Sequence, residues 1–130
     1  MEHPVLIDFE KRLKAVFDRI DTELEDRYGR LFPRHPSRPA RGETCDSSQD
    51  GLFGVGASFS AGFGSDFGRG YVLELRIATL SHVDGDLREK IVSEAVERLQ
   101  ALLVQEFPER KLKVVKDGEV YKIVGDLSLS

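Results

Sequence analysis

The chain has one cysteine, Cys45, and three histidines, His3, His35 and His82. A closed zinc site draws its ligands from short-spaced pairs, and no two of these four residues are so spaced. A Cys45 thiolate activated by His35 or His82 is the remaining nucleophilic arrangement, and it demands tight geometry from a segment without regular patterning. The expectation is an exposed thiol and unrelated histidines. No serine sits in a nucleophile-elbow pattern. Asp84 and Asp86 read as residues placed at a helix start, where carboxylates are favoured.

The run GLFGVGASFSAGFGSDFGRG, Gly51 to Gly70, is rich enough in glycine to suggest a phosphate loop. Gly51 and Gly56 have that separation, but Ala57 stands where a lysine is required, and no lysine occurs between Lys14 and Lys90. A dinucleotide fingerprint on Gly62 and Gly64 fails as well, because the third glycine position is Phe67. DSSQDG, Asp46 to Gly51, resembles the first half of a calcium loop, yet its twelfth position is Ala57 rather than a bidentate Glu. A polar turn leading into a strand is the expected structure there. No catalytic activity, metal or cofactor is expected.

RGYVLEL, Arg69 to Leu75, begins like the aromatic strand motif of RNA-recognition domains and departs from it at Val72 and Leu73. Phe53, Phe59 and Phe63 could serve as stacking platforms. They share a face with Val55 and Ala57, which makes core residues the expected role. A KH-type G-x-x-G loop belongs between two helices, whereas Gly51 to Gly54 enters a strand. The anion or RNA candidates that remain are Arg34, Arg38, Arg41, Lys113 and Lys122.

The elements that would hold these residues follow from hydrophobic spacing. Leu6, Phe9, Leu13, Val16, Phe17, Ile20, Leu24 and Tyr28 recur at three and four, the stripe of an amphipathic helix. Pro4 suits its first turn and Gly29 its stop. Residues 29–50 carry three prolines and no periodicity, and read as an irregular Pro/Arg-rich arm. From Phe53 the pattern changes to period two. Phe53, Val55, Ala57, Phe59, Ala61 and Phe63 alternate with glycines and serines, as one apolar face and one face of minimal side chains. YVLELRIATL forms the second strand of that hairpin, with Tyr71, Leu73, Leu75 and Ile77 inward.

Asp86 and Glu89 suggest an acidic capping box opening a second helix with Leu87, Ile91, Val92, Ala95, Val96, Leu99, Leu102 and Leu103. Phe107 and Pro108 end it. The tail KLKVVKDGEVYKIV predicts a hairpin turning on Asp117-Gly118. That turn pairs Val114 with Tyr121, and sets Lys113 opposite Lys122 on the far face.

Helix, hairpin, helix, hairpin gives a single α+β domain over 1–130. It is a two-layer sandwich of order α-β-β-α-β-β, with a four-stranded antiparallel sheet and both helices on one face. In topology alone this resembles the α-lytic protease prodomain-like folds and type II KH domains, while no motif points to a family. A net charge of -4 gives no general drive towards nucleic acid or anionic membrane. No apolar run approaches the ~20 residues needed to span a bilayer. The N-terminus lacks the basic start of a signal peptide and one cysteine cannot form an intrachain disulfide, so a cytoplasmic location is expected.

The glycine and serine face is the most unusual feature, because strand glycines often mark close approach of another backbone or a ligand. Gly54, Gly56, Ser58, Ser60, Gly62, Val72, Val115 and Val120 are the candidate interaction face. The functional expectation is a non-catalytic interaction or assembly module, self-associating through the sheet as a homo-oligomer or meeting a protein partner. The alternative is an RNA- or ribosome-associated domain using the Arg-rich arm and the basic hairpin.

Overall fold

The computed structural model describes residues 4–32, 51–62, 68–79 and 81–125. Six elements run in the order α1 (Pro4–Tyr28), β1 (Phe53–Ser60), β2 (Gly70–Ile77), α2 (Gly85–Glu106), β3 (Lys113–Asp117) and β4 (Val120–Val124). The sheet is antiparallel with strand order β1-β2-β4-β3. This is the α+β sandwich expected from the sequence. The chain is in effect two α-β-β halves. α1 packs on β1 and α2 on β3, while β2 and β4 pair at the centre and the helices meet each other above them. The arginines of the arm (Arg34, Arg38 and Arg41), Cys45, His3, His35 and Phe63 lie outside the described residues.

The helical stripe is buried as its spacing requires, with Phe9, Leu13, Val16, Phe17, Ile20, Leu24 and Tyr28 all in the core. After Tyr28, the Gly29 N–H donates to the Glu25 carbonyl at 2.9 Å. A Cβ at Gly29 would lie 2.4 Å from that same oxygen, so glycine alone closes this end without displacement. α2 opens two residues earlier than the sequence suggests. Its N-cap is Asp84, whose carboxylate accepts the Asp86 N–H at 3.2 Å, so Asp86 is inside the helix rather than its cap. Phe107 is the C-cap, as expected. Arg12 of α1 locks this end, donating to the Glu106 carbonyl and lying 4.3 Å over the Phe107 ring.

The first hairpin has Phe53 opposite Ile77 and Ser60 opposite Gly70. Phe53 and Val55 are buried, Ala57 half-buried, and Phe59 is 59% exposed. Phe59 therefore departs from the buried face expected of it. Its ring still points to the helix side, edge-on to Tyr71 at 5.6 Å, but it lies at the end of β1, where the cover given by α1 runs out. The strand also stops at Ser60. Ala61 is exposed, and Gly62 takes a φ of +83° in a turn so tight that a Cβ there would fall 2.1 Å from the Gly68 carbonyl.

The second hairpin differs in register. Asp117 pairs with Val120, Val115 with Lys122 and Lys113 with Val124, so the two-residue turn is Gly118-Glu119. Gly118, with φ +64°, occupies the first central position, where a type II′ turn calls for glycine. The apolar face is unaffected because the turn moves by one residue and the pairing therefore slips by two, which preserves the alternation. Lys113 and Lys122, however, do not face each other.

Candidate functional site

The two outer strands expose backbone groups that the two helices reach with side chains. Asp21, within the apolar stripe of α1, is fully buried. Its Oδ1 accepts the Val55 N–H at 2.7 Å. One helical turn on, the Glu25 carboxylate accepts the Leu52 N–H at 3.1 Å. In the other half, Gln100 of α2 accepts the Val114 N–H at 2.8 Å and donates to the Leu112 carbonyl at 3.3 Å. Asp21 thus caps β1 at Val55 and Gln100 caps β3 at Val114, each standing in for a missing neighbour strand, while Glu25 holds Leu52, which precedes β1 and whose carbonyl accepts the Ala78 N–H at 2.7 Å.

The Val55 bond also fixes which backbone groups of β1 face outward. Val55 donates away from β2, and strand geometry repeats every two residues, so the N–H and C=O groups of Ala57 and Phe59 face outward too. Among the described residues, no helix side chain reaches them. Beside this open half lies a groove of about 470 Å³ between α1 and β1. Leu13 and Phe17 form its apolar wall, Val55, Gly56 and Ala57 its floor, and Tyr71 closes its inner end. On its rim Lys14 and Asp18 pair with each other at 3.1 Å. Burial raises the Tyr71 hydroxyl above its usual range, the nearby Glu10 charge adds to this, and Arg110 opposes it. The phenol is therefore neutral at any physiological pH.

The candidate interaction face is not one uniform surface. Gly54, Gly56, Ser60, Val72 and Val115 are half-buried, while Ser58 and Val120 are exposed. Ser58 donates to Glu74 at 3.3 Å, and the Ser60 hydroxyl accepts the Gly62 N–H at 3.3 Å. A Cβ at Gly56 would meet nothing within 4 Å, whereas one at Gly70 would meet the Ile123 carbonyl at 2.5 Å and the Lys122 stem at 2.8 Å. Gly70 therefore makes room for the lysine.

The basic candidates separate in the same way. Lys113 is exposed. Lys122 is only 2% exposed, its ammonium bound to Asp117 at 3.0 Å and donating to the Gly68 carbonyl at 2.9 Å. It is a buried tie across the sheet rather than a surface cation. His82 is exposed ahead of α2, and among the described residues no three His, Cys, Asp or Glu side chains gather around a point that could hold a metal. No helix among the described residues is long and apolar enough to cross a membrane.

Sequence reasoning missed Asp21, Glu25 and Gln100. The signal was present for Asp21, a carboxylate four residues after Phe17 and adjacent to Ile20 inside the stripe. Such a group needs a buried partner.

A family model described as "Uncharacterised protein" matches residues 4–125, and the chain belongs to that family. A protein of Borreliella burgdorferi (strain ATCC 35210 / DSM 4680 / CIP 102532 / B31), also described as "Uncharacterized protein", is 40% identical over 118 residues, covering 91% of this chain and 92% of the relative. No solved structure matches.

Proposed function

Taking the chain as a member of that family, we propose that it is a non-catalytic interaction module that assembles through its sheet, with the open half of β1 as the assembling surface. One observation carries this reading: β1 is an eight-residue edge strand without a single charge, and among the described residues a helix side chain takes an outward group only in its first half, at Val55. Exposed edges in monomeric proteins are normally blunted by lysine, proline or a bulge. β3, the other edge, has Lys113 and Lys116. β1 has neither lysine nor proline. An added strand at Ala57 and Phe59 would meet ready donors and acceptors, with the apolar groove alongside for its side chains.

The glycine and serine face supports assembly less strongly, because Lys122 is folded into its middle and Gly56 has open space above it. RNA binding would rest on Arg34, Arg38 and Arg41 together with Lys113, with Lys122 withdrawn.

Solution mass by light scattering, at low and high salt, tests the proposal. The wild type should exceed the 14.6 kDa of one chain and hold that mass at high salt. Ala57→Pro removes an outward N–H without touching a β1–β2 bond, and should be monomeric. A wild type that is monomeric at every concentration, or an unchanged mass in Ala57→Pro, contradicts it. RNA binding that weakens steeply with salt would favour the competing function.

A further inference from the structure

Resting on the reading of β1 as the assembling edge, we infer that its occupant is a second copy of this chain, paired antiparallel about a two-fold axis at Ser58. Ala57 of each protomer then lies opposite Phe59 of the other.

The strand itself limits the possible registers. Outward backbone groups sit at Ala57 and Phe59, and Val55 has already given its N–H to Asp21. An axis at Ser58 pairs Ala57 with the partner's Phe59 and the reverse, so both outward N–H groups beyond Val55 and their carbonyls are used. An axis at Ala57 would set Phe59 against Val55, whose N–H is taken. An axis at Phe59 would set Ala57 against residue 61, past the end of the strand at Ser60. A slip of one residue would face outward groups with groups already turned to β2.

The side chains agree with this register. Opposed residues in an antiparallel pair point to the same side of the sheet, so the partner's Phe59 enters on the side of Ala57, which is the groove. Ala57 is small and leaves width beneath Leu13 and Phe17. Phe59 is 59% exposed in the single chain and has no complete apolar surround of its own. Ring and groove belong to the same short strand, so the surface is self-complementary, as a two-fold interface requires. β1 has no charge to repel its copy, although the chain as a whole carries -4.

Cysteine trapping in full-length protein with Cys45→Ser reads the register directly. Ser58 turns its own backbone bonds to β2, so across the axis it forms a non-hydrogen-bonded pair with about 4.5 Å between Cα atoms. That lies at the short end of the disulfide range of about 4.4–6.8 Å. Ser58→Cys should convert to a covalent dimer under glutathione oxidation. Gly56→Cys and Ser60→Cys should each stay uncrosslinked alone and crosslink when mixed, because this register sets them opposite each other. A dimeric Ser58→Cys protein that resists oxidation, or self-crosslinking at position 56 or 60, overturns the register and leaves the edge proposal standing. Phe59→Asp should lower the mass to one chain with its far-ultraviolet circular dichroism unchanged, and a persistent dimer would overturn the seating of the ring. A monomeric wild type would overturn both the register and the edge proposal, and would leave the edge to a foreign strand.

Discussion

The two edges of this sheet are built by equivalent halves of the chain and finished differently. At β3, Gln100 meets both a donor and an acceptor, Lys113 and Lys116 keep other strands away, and Asp117 is tied to Lys122. At β1, Asp21 takes the Val55 N–H, and beyond it, among the described residues, no side chain reaches the edge, which is uncharged and flanked by an exposed phenylalanine. The difference shows where each helix stops protecting its strand. On the proposed reading, one edge is closed against partners and the other is left able to take one.

The sharpest way to probe that contrast compares two phenylalanines on the same strand and the same face. Phe53→Ala, at the capped end and fully buried, should cost about 3–5 kcal/mol in urea unfolding. Phe59→Ala should change the stability of the monomer by no more than about 0.5 kcal/mol while abolishing association. Similar losses at both positions would mean that β1 is evenly covered.

The caps come next in size. Asp21→Ala leaves the Val55 N–H buried without its acceptor, and should cost about 1–3 kcal/mol. Gln100→Ala should fall at the lower end of the same range, since its partners are only part-buried. If Asp21→Ala were neutral, the edge would not depend on the helix for its finish.

Much of this was legible in the chain. The 3–4 spacing of α1 and the alternation in β1 required only counting, and the helix-hairpin order left few ways to bury the apolar faces. The extent of β1's cover was not legible, because it depends on where α1 crosses the strand, and Phe53 and Phe59 look identical in the pattern. Asp21 could have been found as a carboxylate set among Phe17, Ile20 and Leu24. The β3–β4 register turned on whether Gly118 takes the first or the second place of its turn, and Asp-Gly suggests the second. Lys122 looked like a surface charge because nothing local reveals that Gly70 has made room for it.

The glycines give a smaller contrast on the outer face. Gly70→Ala should cost about 1–3 kcal/mol, since the added methyl meets a backbone carbonyl and the Lys122 stem. Gly56→Ala has open space, and should be unchanged or more stable by up to about 1 kcal/mol. Thermal unfolding of the two variants distinguishes these outcomes.

Tyr28→Phe is expected to have the smallest effect. The hydroxyl is sealed from solvent, facing the Glu94 carboxylate without closing a well-formed bond to it. Burial first, and then Glu94, raise its pKa above 10.0, partly offset by Arg27. The folded state therefore holds this proton more tightly than the unfolded chain. The stability it contributes is fully present below pH 10 and is lost as pH rises through the folded value. Tyr28→Phe should be near neutral at pH 7 and should flatten that alkaline decline, measured by urea unfolding across pH 9–11. A variant that declines as steeply as the wild type would assign the effect elsewhere, with Tyr71 shifted in the same direction.

Residue-resolved amide exchange at low and high protein concentration tests the bare edge most directly. The Val55 amide, held by Asp21, should be protected at both concentrations. The Ala57 and Phe59 amides should exchange rapidly when dilute and slow down as the protein is concentrated, together with the rise in mass. Amides at 57 and 59 that exchange at one rate across all concentrations, or that are already protected in the dilute single chain, would contradict assembly through β1.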